Sequence, residues 1–306
     1  MERNRGKILV IRGGAIGDFI LTLPAIRALR STFPETHLEV LGYPVVAELA
    51  VRGGLIDGFR TIEARALAGF FARNAKLDPE LSAYFESFSL IFSYLYDPDE
   101  IFRTNVLRTT KAQFIQGPHR PNETENLHAT AVFLKPLEKM AIFNVEPIPR
   151  VEIEALARAE KWVAVHPGSG SEKKNWPVQN WIEFLKKIER ETDYRVLMVG
   201  GEADTERIQA IQRLVMPERV EMMQNVPLVE LAANLRGCHV FIGHDSGISH
   251  IAAAVGMPTL VLWGASKSEV WQPLNPNVTI VRAAEGILED LNVQEVWSAF
   301  AGLREA

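Results

Sequence analysis

The chain has 306 residues, which is enough for about two domains of ordinary size. Apolar residues make up 47% and charged residues 23%, a globular composition that argues against a disordered chain or a fibrous repeat. The 33 basic and 38 acidic residues give a net charge of −5, the opposite sign to that of a general nucleic-acid-binding protein. One cysteine, Cys238, excludes an intrachain disulfide framework and fits a reducing cytoplasm.

Two apolar stretches do not fit an export signal or a membrane span. The run 8–11 has only four residues, whereas the apolar core of a signal peptide needs ~7–15. The uncharged stretch 246–266 contains three glycines and Pro258, so it predicts a helix, a turn and a strand. We therefore expect a cytoplasmic protein.

Short apolar runs alternate with helical patterns along the whole chain. In the first half we predict strands at 7–12, 37–41, 89–94 and 112–116, and helices at 16–33 and 126–139. Prolines 147 and 149 mark the stretch 144–150 as a linker. In the second half we predict strands at 162–166, 195–199, 240–242, 259–263 and 278–281, and helices at 178–190, 203–215, 228–235, 246–255 and 293–303.

Strands that are apolar throughout and alternate with helices predict parallel sheets covered on both faces. The expected fold class is therefore α/β, with two Rossmann-like doubly wound domains, residues 1–150 and 151–306, that face a central cleft.

The first strand runs into a glycine-containing loop at the start of a helix, Arg12-Gly13-Gly14-Ala15-Ile16-Gly17-Asp18. Arg12 occupies the position of the first glycine in G-x-G-x-x-G, which weakens a dinucleotide-binding interpretation. Asp18 lies in the first helical turn, where an aspartate can simply cap the helix. It also follows a strand of an open α/β sheet, where ligands bind, and could act there as a general base.

The second half contains a similar loop, His166-Pro167-Gly168-Ser169-Gly170-Ser171-Glu172-Lys173-Lys174-Asn175-Trp176-Pro177. Small and hydroxyl residues followed by lysine can hold a diphosphate through backbone N–H groups, serine and an ammonium. The loop is not a Walker A sequence, which disfavours kinase or ATPase chemistry. The alternative is a solvated lysine pair on a surface loop.

A third junction, Gly243-His244-Asp245-Ser246-Gly247-Ile248-Ser249-His250, again follows a strand and opens a helix. Asp245 or Ser246 could cap that helix, and His250 could be a core residue rather than a ligand.

Two further patterns allow both a structural and a functional interpretation. The window 101–122 contains basic residues and no carboxylate, so Arg103, Arg108 and Arg120 either form a solvated face or receive an anionic acceptor. Asp97-Pro98-Asp99 matches the D-x-D of metal-dependent sugar transferases, but it is also an ordinary turn into a helix.

These motifs together resemble glycosyltransferase family 9, the ADP-heptose:lipopolysaccharide heptosyltransferases and their relatives. The similar segments are 7–29, with Ile16-Gly17-Asp18 and Thr22-Leu23-Pro24-Ala25, then 166–177, and then 243–250 followed by Ala252-Ala253-Ala254, Gly256, Pro258 and Trp263-Gly264. The resemblance covers most of the chain, in order, and is most specific in the third segment.

The resemblance implies a GT-B fold and an inverting transfer that needs no metal or cofactor. It implies that Asp18 is the general base and that Lys174 binds the donor phosphate. It also implies donor contacts from Ser169, Gly170, Asp245, Ser246, Gly247 and His250. A donor-site carboxylate is expected after the next strand, where Glu202, Asp204 and Glu206 compete.

The implied partners are a nucleotide-sugar donor such as ADP-heptose and an anionic lipopolysaccharide-core acceptor, with peripheral attachment to the inner membrane. Gly170 departs from the hydroxyl residue of the best-known heptosyltransferases. Open alternatives are a different nucleotide sugar or acceptor, a sugar-nucleotide epimerase of the same fold, and a non-catalytic nucleotide-binding protein.

Overall fold

A computed structural model describes residues 6–215 and 217–304. The chain divides into two units between Pro147 and Ile148, inside the stretch 144–150 where the prolines predict a linker. Each unit is an α/β structure built around one parallel sheet. The elements below are numbered in chain order through both units.

The described residues of unit 1 form five strands and five α-helices. They are β1 (Lys7–Arg12), α1 (Ile16–Thr32), β2 (His37–Gly42), α2 (Pro44–Arg52), β3 (Gly58–Thr61), α3 (Pro79–Glu86), β4 (Leu90–Ser93), α4 (Ile101–Leu107), β5 (Gln113–Gln116) and α5 (Ala129–Leu134). The sheet order is β3-β2-β1-β4-β5, with every pair parallel. The strand order therefore reverses beside β1, and the site where α/β sheets bind ligands lies at the carboxyl end of β1.

The predicted helix at 126–139 is wrong in its extent. The α-helix α5 ends at Leu134, and a 3₁₀-helix, Lys135–Met140, follows it. Pro136 lacks the N–H that would continue the α-helical hydrogen bonds. The sequence analysis also did not predict α2, α3, α4 and β3.

Where the structure describes it, unit 2 has six strands and six α-helices. They are β6 (Trp162–Val165), α6 (Val178–Glu191), β7 (Arg195–Gly200), α7 (Thr205–Gln212), β8 (Val220–Gln224), α8 (Leu228–Arg236), β9 (Val240–His244), α9 (Gly247–Ala254), β10 (Thr259–Trp263), α10 (Ser268–Trp271), β11 (Val278–Arg282) and α11 (Val293–Arg304). Strand β8 and the short helix α10 were not predicted.

The sheet order in unit 2 is β11-β10-β9-β6-β7-β8, again all parallel. Helix α6 buries Trp181, Phe184 and Ile188 at helical spacing, and these side chains join Trp297 and Phe300 of α11 in one core cluster. The reversal of strand order lies between β6 and β9. The two junctions singled out in the second half of the sequence follow these two strands.

Within the part of the chain that the structure describes, none of the helices has both the length and the apolar character of a membrane span.

Candidate active site

In unit 2, the loop 166–177 after β6 and the junction after β9 lie side by side at the carboxyl edge of the sheet. An ion pair joins them, since Lys174 Nζ lies 2.5 Å from Asp245 Oδ2. The Ser266 hydroxyl donates to the same carboxylate oxygen at 2.5 Å. The Asp245 side chain is 10% exposed and that of Lys174 39% exposed. Asp245 therefore holds an ammonium group in place while leaving part of it open to a ligand.

A buried histidine holds the loop 166–177 in place. His244 ends β9 and is fully buried, and its Nε2 accepts the N–H of Trp176 at 2.9 Å. Its Nδ1 lies 3.1 Å from the carbonyl of Gly168. An acceptor at Nε2 and a carbonyl at Nδ1 are satisfied together only by the neutral ring protonated on Nδ1. Sequence analysis did not single out His244, although it directly precedes Asp245.

Protonation of His244 is expected to destabilise the fold below about pH 6.5. Burial lowers the pKa of His244 to about 3. The unfolded chain, with a pKa of about 6.5, therefore takes up the proton first, and stability present above that pH is lost as the pH falls. Between pH 7 and pH 5 this contributes a loss of about 2 kcal/mol.

Urea unfolding at the two pH values checks this for the wild type and for His244→Asn. The asparagine can still accept the Trp176 N–H. It does not titrate in this range, so the variant should not show the loss of about 2 kcal/mol in unfolding free energy between pH 7 and pH 5. Equal pH dependence in the two proteins would contradict the assignment.

A second histidine connects two of the junctions. His166 is buried, and its Nε2 lies 3.1 Å from Asp204 Oδ2 while its Nδ1 lies 3.3 Å from the Ser246 hydroxyl. Burial alone raises the pKa of Asp204, but the hydrogen bonds from His166 and from the Gly201 N–H outweigh it and lower that pKa below its usual value. Ser246 is the N-cap of α9, accepting the N–H of Ser249. Asp204 and His166 thus orient the hydroxyl of Ser246.

The close approach of Asp204 explains why residue 168 is glycine. A Cβ at that position would lie 1.7 Å from Asp204 Oδ1. Gly168→Ala is therefore expected to destabilise the protein by about 1–3 kcal/mol, the usual cost of overpacking. At Gly170 a Cβ meets nothing within 4 Å, so Gly170→Ala is the matched control and should change stability by less than ~0.5 kcal/mol. Urea unfolding of both variants measures this, and equal effects would refute the explanation.

The other predicted donor residues occupy different environments. The Ser169 hydroxyl donates to the carbonyl of Ser171 and accepts its N–H, so it shapes its own loop. Gly247 is half-buried at the start of α9, and His250 is 5% exposed one turn later. Among the three competing carboxylates, Asp204 is buried and engaged, whereas Glu202 and Glu206 are exposed. We therefore predict that a donor contact from this segment is made by Glu202 or Glu206.

In unit 1, Asp18 lies at the carboxyl end of β1. Its Oδ2 accepts the N–H of Ala15 at 3.0 Å and so caps α1. The loop allows this approach because Gly14 has φ +102°, a conformation that suits glycine, and because a Cβ there would lie 2.8 Å from the Asp18 carboxylate. The Asp18 side chain is 27% exposed. The two interpretations from the sequence are therefore compatible, since one oxygen caps the helix and the carboxylate still reaches solvent.

A buried arginine supports Asp18. Arg12, the last residue of β1, is 2% exposed, and its Nη2 lies 3.5 Å from Asp18 Oδ1. Its Nη1 donates to the carbonyl of His119 at 2.8 Å, and its guanidinium lies 4.4 Å from the Phe133 ring centroid. From the sequence, Arg12 was interpreted only as a mismatch to a glycine. Its position could have indicated a structural role, because a cation at the end of a buried strand needs polar partners.

The three predicted acceptor arginines are separated by the structure. Arg103 lies in the first turn of α4, at the carboxyl edge of the sheet, and pairs with Glu100 at 2.9 Å. Arg108 follows the opposite end of α4 and donates to Asn105 at 2.9 Å. Arg120 follows His119 and pairs with Glu123 at 2.8 Å. Arg103 and Arg120 are therefore better placed than Arg108 for a ligand at the edge that carries Asp18.

The Asp-Pro-Asp segment forms the turn that one interpretation predicted. Both carboxylate oxygens of Asp97 accept N–H groups from the first turn of α4, at 3.1 Å and 2.9 Å. Asp99 pairs with Arg73 at 3.6 Å. Among residues 6–215 and 217–304, no group of three or more histidines, cysteines or carboxylates is arranged to hold a metal ion.

Comparison with known proteins points to one family. The family model described as "Glycosyltransferase family 9 (heptosyltransferase)" matches residues 137–298, more than half of the chain. A sequence relative, lipopolysaccharide heptosyltransferase 2 of Salmonella typhimurium, is 26% identical over 312 residues, covering 92% of this chain and 89% of the relative.

Solved structures give the same result for the fold. A glycosyl transferase family 9 structure from Veillonella parvula superposes with a TM-score of 0.80 at 17% identity, covering 100% of this chain and 99% of that one. The E. coli ADP-heptose lps heptosyltransferase II gives 0.79 at 17% identity, covering 98% of each chain. The predicted fold class, two parallel-sheet α/β units of the GT-B type, is confirmed.

Proposed function

Since this chain belongs to glycosyltransferase family 9 and is a heptosyltransferase-like enzyme, we propose that it transfers a heptose from ADP-heptose to a hydroxyl of a lipopolysaccharide-core acceptor. Unit 2 binds the nucleotide sugar and unit 1 binds the acceptor. ADP-heptose is named in the description of the E. coli structure, and lipopolysaccharide is named in that of the Salmonella relative. These names support the donor and the acceptor class.

The observation that carries the proposal is the Lys174–Asp245 pair at the edge where strand order reverses in unit 2. A lysine held by a carboxylate, next to a helix N-terminus capped by Ser246, suits a diphosphate. When the bond between sugar and phosphate breaks, the leaving nucleoside diphosphate gains negative charge. Lys174 and the N–H groups of α9 stabilise that charge.

Asp18 acts in the proposal as the general base. Its carboxylate takes the proton of the acceptor hydroxyl as that oxygen attacks the anomeric carbon, and the donor phosphate leaves from the opposite face, which inverts the configuration. General-base assistance typically contributes about 10²- to 10⁴-fold in rate. Arg12 keeps the carboxylate oriented, and the cap on α1 fixes its rotamer. Asp97 serves as a helix cap, so the proposed chemistry uses no carboxylate pair for a metal.

The proposed acceptor is anionic and belongs to a glycolipid, so we also propose that the enzyme works at the cytoplasmic face of the inner membrane. Arg103 and Arg120 provide positive charge at the carboxyl edge of the unit 1 sheet. Arg103 is partly exposed and Arg120 is exposed, and each pairs with a neighbouring glutamate, so their contribution is modest and sensitive to salt.

A two-step experiment tests the proposal. Calorimetry with ADP, UDP and GDP first identifies the base, with ADP expected to bind most tightly. Incubation with ADP-heptose, with and without deacylated lipopolysaccharide-core oligosaccharide, then follows the product by mass spectrometry. We expect a mass gain of one heptose on the acceptor. Donor conversion without an acceptor would instead indicate an epimerase, and tighter UDP or GDP binding would overturn the proposed donor.

A further inference from the structure

Tyr96 is conspicuously exposed for an aromatic residue beside a predicted active site. Its side chain is 69% exposed, more than that of any other large apolar or aromatic residue in the described part of the chain. It follows β4, the strand next to β1, and therefore lies at the edge of the unit 1 sheet that carries Asp18. A ring of this size is normally covered, because burying it is worth about 1.5–3 kcal/mol.

A second ring packs beside Tyr96. The Tyr96 and His119 centroids are 4.6 Å apart, with an interplanar angle of 58°. Desolvation lowers the pKa of His119, as do the charges of Arg12 and Arg120, while Asp18 opposes them. The imidazole is therefore mainly neutral near pH 7, and the pair presents an aromatic rather than a cationic surface.

Direct contacts connect this ring pair to the proposed base. The His119 carbonyl accepts Arg12 Nη1 at 2.8 Å, and Arg12 Nη2 lies 3.5 Å from Asp18 Oδ1. Arg12 is buried and cannot move freely, so the backbone of His119 is held at a fixed place relative to Asp18. Tyr96 and the proposed base thus belong to one ordered cluster within unit 1.

We propose that Tyr96, supported by His119, is a stacking platform for a sugar ring of the acceptor. The inference rests on the proposed function, and it assigns two residues that recognise the acceptor as a carbohydrate. A pyranose has an apolar C–H face that packs on an aromatic ring, while its hydroxyls remain at the edges for hydrogen bonding. Stacking on Tyr96 holds the acceptor at the edge of the unit 1 sheet that carries Asp18 and leaves its hydroxyls free.

The test compares Tyr96→Ala, Tyr96→Phe and a control, Phe143→Ala. Phe143 is also an exposed aromatic residue of unit 1, with 60% exposure, and has no assigned role. Calorimetry measures binding of deacylated lipopolysaccharide-core oligosaccharide and, separately, of ADP. The transfer assay gives KM for the acceptor and kcat.

For Tyr96→Ala we expect the acceptor Kd and KM to rise about 3- to 10-fold, the size of one aromatic contact. ADP affinity and kcat at saturating acceptor should stay within about twofold of the wild type. Tyr96→Phe should restore acceptor binding because it keeps the ring, and Phe143→Ala should behave as the wild type.

Three outcomes would overturn the platform. The first is unchanged acceptor affinity in Tyr96→Ala, and the second is loss of ADP affinity in that variant, which would place Tyr96 at the donor. The third is that the wild type does not bind the oligosaccharide. Failure of the proposed function is seen separately, as oligosaccharide binding that persists in the wild type without any transfer from ADP-heptose.

Discussion

Replacing Asp18 by asparagine is expected to lower kcat by about 10²- to 10⁴-fold, the usual contribution of a positioned general base. The substitution removes the group that accepts the proton but keeps the shape of the side chain. An asparagine oxygen can still accept the Ala15 N–H, so the cap of α1 should persist. Affinity for ADP should be unchanged, because the proposed donor residues all lie in unit 2.

The comparison needs a control for charge and one for folding. Asp99→Asn removes a carboxylate from the same unit where the aspartate side chain is 65% exposed, and it should leave kcat within about twofold. Asp18→Asn also weakens the partner of buried Arg12, so urea unfolding must accompany the kinetics. Wild-type turnover in a folded Asp18→Asn protein would remove Asp18 from the mechanism.

Replacing Lys174 by alanine is expected to weaken ADP binding about 10- to 100-fold, since a hydrogen bond to a charged group is worth about 1.5–3 kcal/mol. The effect has two parts. The diphosphate loses an ammonium donor, and Asp245 loses the cation that neutralises it, so its carboxylate then repels the ligand. Calorimetry with ADP at low and high salt measures the loss, which should shrink as salt increases.

The neighbouring lysine supplies a matched control. Lys173 lies in the same loop and is exposed, so Lys173→Ala changes the net charge equally without removing the Asp245 contact. Its ADP affinity should remain within about twofold of the wild type. If both alanine variants lose affinity equally, the loop acts through general charge and Lys174 has no specific role.

The central strands were predictable because they are buried on both faces. Strands β1, β6, β9 and β10 consist of apolar runs that need no knowledge of their neighbours. Of the edge strands in the described sheets, β5 and β11 were predicted, whereas β3 and β8 were missed. β3 and β8 have one open edge and tolerate Arg60 and Glu221, so no continuous apolar run marks them. Helices α2, α3 and α4, which have seven to nine residues, were also missed.

The residues assigned to the proposed substrates could also be chosen from the sequence. Asp18, Lys174 and Ser246 each follow a strand at a junction of small residues, and this local pattern predicts a ligand site. The sequence did not show which neighbouring side chains contact these three residues. Glu202, Asp204 and Glu206 are equivalent in the sequence, and only the fold shows that Asp204 turns inward to His166.

The amino-acid sequence by itself therefore determined the α/β class, the two units and the junctions where chemistry is expected, because burial and backbone conformation leave local patterns. Only the tertiary structure showed the contacts of Arg12, His244, His166 and Tyr96. Their partners lie in other segments of the chain, as when Arg12 donates to the carbonyl of His119 more than a hundred residues away. A contact between distant segments leaves no periodic pattern along the chain. It can be identified only when the order of the strands in the sheet is known.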